Sequence, residues 1–199
     1  MPDEALVAHS LAEAYLYLRA TPCASCGQGP LSGSDAKLTA ETGFGVRVGM
    51  RATCGSCGRA TNITFHLAER PSDDSGQCAG AISSVAAASR ILDVGQWIML
   101  FRVTTEAADK ETDKTRVRQL GLEAAQCLEE ALKFYDDLDN DLPPPEAFFT
   151  DASRERFKTH PEQFSKQRLI ELRSKLPSLS AMRSCLSRSD KMPWWRRWW

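Results

Sequence analysis

The chain has 199 residues, 42% of them hydrophobic and 26% charged, and a net charge of −1. That is enough chain for one substantial domain or two small ones, with the balance of an ordinary globular protein. No run of 18 apolar residues is present, which excludes a membrane-spanning helix.

The near-zero total hides an uneven spread. Residues 20–70 carry 5 basic and 3 acidic side chains, residues 106–141 carry 5 and 11, and residues 142–199 carry 12 and 6. Either the acidic and basic segments face each other within the fold, or the basic end seeks an anionic partner.

Residues 1–19 are predicted to form an N-terminal helix. Val7, Leu11, Ala14 and Leu18 recur on one face at the 3.6-residue period. Asp3 serves as N-cap, and Pro22 ends the helix. Asp3, Glu4 and Glu13 are unlike the basic start and apolar run of a secretory leader. Seven cysteines without a leader point to a reducing, cytoplasmic compartment. His9 is expected at the surface or partly packed.

Residues 20–70 hold two C-x-x-C pairs, Cys23-Ala24-Ser25-Cys26 and Cys54-Gly55-Ser56-Cys57, each followed by glycine. Two cysteines two residues apart reach one ion only if the backbone turns sharply beneath them, and Gly27 and Gly58 supply that freedom. Together the pairs offer four thiolates, the ligand set of a closed tetrahedral zinc site. The 27 residues between Cys26 and Cys54 are more than the usual spacing, but loop-closure entropy grows slowly with length. A redox dithiol or disulfides are the alternatives to metal.

Between the pairs, residues 29–35 read as a loop, 37–42 as a weak strand and 46–53 as a stronger one. After the second pair, residues 61–67 alternate. Ile63, Phe65 and Leu67 lie on one face, with Asn62, Thr64 and His66 on the other. The knuckle–hairpin–knuckle pattern resembles the zinc-ribbon class of folds over residues 20–70. That resemblance implies a structural Zn2+ held by Cys23, Cys26, Cys54 and Cys57, and it does not choose among the class's many functions. The apolar face of so small a ribbon needs a helical cover. The polar face presents Arg47 and Arg51, through which nucleic acid could bind. Phe65 points away from it, so only Phe44 is left to stack on bases.

Residues 71–88 form a linker rich in Ser, Asp and Gly that contains the unassigned Cys78. Residues 89–177 form a helical domain. Ser89 is read as the cap of a helix of about twenty residues, apolar on most sides near Trp97 and so central to the core. Gly95 within it lets another element approach closely. A second helix runs from Asp113 to about Leu138, with Cys127 as a packed thiol and Glu123, Glu129, Glu130 and Lys133 outside. Asp137, Asp139 and Asp141 imitate half a calcium loop, but Leu142 and Phe148 stand where glycine and a bidentate glutamate are needed. Asp151 caps a short helix to His160, and Pro161 starts another that ends before Pro177, with Leu169, Leu172 and Leu176 facing the core. Phe148, Phe149, Phe157 and Phe164 anchor this segment on the helical hairpin.

Residues 178–199 form a basic tail without apolar period. Trp194, Trp195, Arg196, Arg197, Trp198 and Trp199 close it, a composition suited to docking on a protein, an anionic membrane surface or nucleic acid. No catalytic constellation is apparent. The expected fold is α+β, a small β zinc ribbon packed against a mainly α-helical domain. The expected function is that of a non-enzymatic zinc-binding adaptor. The alternatives are a nucleic-acid-binding accessory factor and a dithiol oxidoreductase.

Overall fold

The computed structural model describes residues 6–40, 45–67, 82–83, 86–135 and 140–177. Phe44, Cys78, Asp137, Asp139, most of the linker and the whole tail 178–199 lie outside the described residues. The fold is α+β, as the sequence predicts. Strands β1 (Leu6–Ala8), β2 (Leu31–Ala40), β3 (Val46–Cys54) and β4 (Ala60–Leu67) form one sheet in the order β1-β4-β3-β2. β2, β3 and β4 are antiparallel neighbours, and β1 adds to the edge of β4 in parallel. Helix α1 (Leu11–Ala20) precedes β2. Helices α2 (Val94–Lys110), α3 (Lys114–Leu132), α4 (Asp151–Thr159) and α5 (Lys166–Ser174) follow the sheet.

The alternation in β3 and β4 sorts the two faces of the sheet. Val46, Val48, Met50 and Ala52 are buried beside Phe65 and Leu67, whereas Arg47, Arg51, Asn62 and Thr64 are exposed. The register places Val48 opposite Phe65 and Arg51 opposite Asn62, so each face is consistent across strands. The predicted helical cover is α1. Tyr17 meets Phe65 edge to face at 5.7 Å between ring centroids, and Phe65 is wholly buried. A Cβ on Gly33 of β2 would lie 2.7 Å from the Leu18 side chain and 2.9 Å from that of Met50. Only glycine lets α1 sit this low on the sheet.

Several local expectations change. Residues 6–8, read as helix, form β1, because Leu6 and Ala8 complete the inner face against Phe65 and Leu67. The helix then starts late: Ser10, not Asp3, is its N-cap and accepts from the Glu13 N–H at 3.1 Å. The segment 31–35, read as loop, belongs to β2, where pairing with β3 overrides its small polar composition. Ser89 caps a turn ahead of α2, accepting from Ile91 N–H at 3.2 Å and Leu92 N–H at 2.9 Å, while Asp93 caps the helix itself. Thr150 rather than Asp151 caps α4. The helix expected from Pro161 is a 3-10 turn, Pro161–Phe164, followed by α5 with Ser165 as cap. α3 ends at Leu132, short of the expected Leu138.

The core continues from the sheet into the helices without a break, through Leu16, Trp97, Leu128, Phe148 and Leu169. Trp97 is fully buried, as expected for the centre. A Cβ on Gly95 would overlap the Ser153 side chain, so α4 makes the close approach for which that glycine allows. Phe148, Phe157 and Phe164 form one ring cluster with centroids 4.6 to 5.4 Å apart. Phe149 is instead 40% exposed, and its ring meets that of Phe134. Leu169 is buried, and Leu172 and Leu176 pack partly against the core.

Two glutamates assigned to the outside of α3 are inside. Glu123 is buried beside Arg19 of α1, with Thr104 donating at 3.4 Å, and His9, between β1 and α1, and Glu13 of α1 are also buried. Arg173 pairs with Glu129 at 2.7 Å, joining the basic segment 142–199 to the acidic segment 106–141. Glu130 is only 4% exposed. Burial raises its carboxyl to about 7, although the Lys133 ammonium at 2.8 Å opposes the shift; Glu13 and Glu129 add repulsion.

A raised folded-state value means that the favourable contribution is present below the ordinary carboxylate range and lost as pH rises through about 7. Urea unfolding of the wild type should lose up to about 3 kcal/mol from this group between pH 5 and pH 8. Glu130→Gln should flatten that window. Equal pH slopes in the two proteins would refute the assignment.

Candidate metal centre

The four cysteines come from two structurally repeated turns. Cys23 and Cys26 lie in the connection between α1 and β2, Cys54 ends β3, and Cys57 lies in the turn before β4. In each turn the glycine N–H returns to the first cysteine's carbonyl: Gly27 to Cys23 at 2.8 Å and Gly58 to Cys54 at 2.9 Å. The N–H of each first cysteine bonds to a carbonyl five residues on, Cys23 to Gln28 and Cys54 to Arg59. Gly27 and Gly58 have φ of 70° and 71°. A Cβ at either would meet nothing within 4 Å, so glycine is needed there for its dihedral and not for space.

The two turns are also tied to each other. Gly55 N–H donates to Pro30 carbonyl at 3.0 Å, and the Ser56 hydroxyl donates to Gly29 carbonyl at 3.0 Å. Leu31 pairs with Cys54 at the start of β2, which fixes the first turn over the second.

The result is a compact sulfur cluster. All four Sγ atoms lie within 4.8 Å of one another, with Cys23 to Cys57 at 3.8 Å and Cys26 to Cys54 at 3.7 Å. A disulfide would need about 2.05 Å, so these are free thiols. Four sulfurs about 2.3 Å from a tetrahedral centre lie about 3.8 Å apart, which matches both measured separations. The donor set fits a metal ion of that kind. Cys23 and Cys54 are buried and Cys26 and Cys57 exposed, so the cluster sits at the surface with its inner pair anchored in the core.

The electrostatics call for a cation. N–H groups of Ser25 and Cys26 aim at the Cys23 sulfur and draw its pKa down to about 6, Ser25 at 3.4 Å. N–H groups of Cys57 and Ser56 lower Cys54. At Cys26 the Gln28 N–H also lowers, but desolvation and the three neighbouring sulfurs prevail and raise it to about 12. Four thiolates this close do not ionise together unaided, whereas a bound divalent ion deprotonates coordinating thiols outright.

Among the described residues this is the only group of three or more His, Cys, Asp or Glu with metal-binding geometry. His66 lies on the outer face of the sheet at the Arg47 rung. His160 is exposed, 3.5 Å from Glu162. Cys127 is buried in the core, where burial raises its thiol well above the ordinary range. Asp141 accepts the Gln167 N–H at 2.9 Å, in the first turn of α5. Arg47 and Arg51 are on the outer sheet face, and the six tail residues Trp194, Trp195, Arg196, Arg197, Trp198 and Trp199 lie outside the described residues. Ser25 and Ser56 also belong to the site, and the shared C-x-S-C-G spelling of the two pairs marks their position. The whole arrangement is consistent with a zinc-ribbon-like motif. No helix among the described residues is long and apolar enough to cross a membrane. No protein-family model matches the chain, and no curated protein or solved structure matches it.

Proposed function

We propose that Cys23, Cys26, Cys54 and Cys57 hold one zinc ion as a structural centre in a cytoplasmic, non-enzymatic interaction protein. The observation that carries this reading is the sulfur cluster, spaced at the edge length of a zinc tetrahedron. Four protein ligands complete such a tetrahedron, a set suited to holding structure rather than to activating water. The tail residues Trp194 to Trp199 then serve as the docking element for a protein partner, since Trp and Arg dominate binding hot spots.

Elemental analysis of protein purified without added metal should give about one zinc per chain. Full-length chain should capture a partner that a variant with all four tail tryptophans changed to alanine does not. A well-folded, metal-free protein with reactive thiols would overturn the reading and favour a dithiol oxidoreductase.

One observation favours a second reading, binding of nucleic acid. The described charged side chains that project from β2 and β3 onto the outer sheet face, Lys37, Arg47 and Arg51, are all cationic and exposed. Arg47 and Arg51 are four residues apart on one strand, or roughly 13 Å. Affinity for a single-stranded oligonucleotide probe should then fall by about 0.7 log units per phosphate contacted for each tenfold rise in salt. Arg47→Glu with Arg51→Glu should abolish it.

A further inference from the structure

A groove of about 550 Å3 opens beside the first cysteine turn, lined chiefly by apolar atoms of Pro22, Pro30, Met99, Leu100 and Val103, with Arg19 at one side. That volume is in the range of about 300–1,000 Å3 typical of ligand sites. Val103 is 46% exposed, the second most exposed of the large hydrophobic residues described. Thr21 stands in the same wall, with its hydroxyl oxygen buried behind the groove surface. The lining suits a flat apolar group, flanked by a guanidinium that stacks on aromatic faces.

The chain carries such groups on a tether that starts nearby. Pro177 packs on α3 so closely that a Cβ on Gly121 would lie 3.4 Å from its ring. Two residues on, Glu123 bonds Arg19, which lines the groove. Gly121 and Glu123 point to opposite sides of α3, so the chain beyond Pro177 has to pass one helix, about 10 Å across. Residues 178–193 separate Pro177 from Trp194. Sixteen residues of chain reach at most about 50 Å, ample for that distance, and joining groove and rings in one chain raises their effective concentration. Glu106, exposed and one helical turn past Val103 on α2, offers a carboxylate for Arg196 or Arg197.

We propose that this groove receives indole rings from the chain's own tail, Trp194 to Trp199, and so stores the docking element against the zinc-binding end of the fold. The proposal rests on reading the tail as a docking element. It adds the intramolecular seat that a partner has to displace.

Acrylamide quenching of tryptophan fluorescence in the full-length, zinc-containing protein tests it. Trp97 is wholly buried, so the signal that varies comes from the other four tryptophans. The wild type should be poorly quenched at all protein concentrations. Val103→Asp, at an exposed site, should raise the quenching slope about twofold or more by releasing the rings. Val117→Asp, on an exposed residue of α3, should leave it unchanged. Should Val103→Asp lose zinc or helical circular dichroism, Val103→Ser provides the milder variant with the same expected direction. Wild-type quenching equal to that of the urea-unfolded chain, or no response to either Val103 variant, overturns the proposal. Protection that appears only as protein concentration rises also overturns it, by assigning the groove to a second copy's tail. Zinc content and partner capture are measured on the same samples, so loss of the cis contact is distinguishable from failure of the adaptor reading.

Discussion

Cys54→Ser should abolish cooperative folding of the sheet along with metal binding. Cys54 ends β3, is 1% exposed, and contributes one of the two inner sulfurs of the cluster. A structural zinc site contributes about 10–16 kcal/mol of apparent binding free energy, as much as the whole stability of an ordinary domain. Without the ion, the two turns keep only their few mutual hydrogen bonds, and the remaining sulfurs no longer ionise together. The first turn then stops holding β2 against β3 at the Leu31–Cys54 end, and α1 loses its fixed seat on Gly33. Zinc by elemental analysis should fall below one per chain, and the thermal transition followed by circular dichroism should broaden or vanish. Chelation of the wild type should do the same. Cys127→Ala is the matched control: it removes a buried thiol from the helical core and should cost about 1 kcal/mol with zinc retained. A sharp transition in Cys54→Ser at the wild-type temperature would show that the cluster is not what closes the fold.

The cysteine centre was legible because its chemistry is written locally. Two C-x-x-C-G pairs specify turn, ligand and spacing within five residues each, and the glycine dihedrals follow from the same pattern. The sheet faces were legible for a similar reason, since alternation in β3 and β4 reads directly as inside and outside. What depends on distant partners was not legible. Leu6 to Ala8 fits a helical period as well as a strand, and only the open edge of β4 decides between them. Glu123 and Glu130 look like solvent-facing residues of an amphipathic helix. Arg19, more than one hundred positions away, makes an interior site tenable for the first, and Lys133 helps the second. The groove beside Pro22 joins two segments some seventy residues apart and leaves no signature in either.

Asp93→Ala should be the most damaging substitution on the helical side. Asp93 is fully buried and accepts five hydrogen bonds. One oxygen takes the Gln96 N–H at 2.7 Å and the Ser153 hydroxyl at 2.8 Å. The other takes the N–H groups of Phe149 at 3.1 Å and Thr150 at 2.9 Å, and the Thr150 hydroxyl at 2.9 Å. The Gln96 side chain completes a capping box by accepting the Asp93 N–H at 3.0 Å. One carboxylate therefore caps α2 and holds the start of α4, both at helix N-termini where negative charge is favoured. Alanine removes a cap worth about 1 kcal/mol and strands donors that cost about 1–3 kcal/mol each when left unpaired in the interior. Loss of about 4 kcal/mol or more in urea unfolding is expected. Asp93→Asn keeps one acceptor oxygen, and so the α2 cap, but turns an amide toward the Phe149 and Thr150 donors; it should fall between wild type and alanine. Ser153→Ala removes one donor and should cost about 1 kcal/mol. Because Asp93 and Ser153 share a bond, the double variant should be less damaged than the sum of the two single ones. Strict additivity, or a cost under about 1 kcal/mol for Asp93→Ala, would mean that the α2–α4 junction is held by packing at Gly95 and not by this carboxylate.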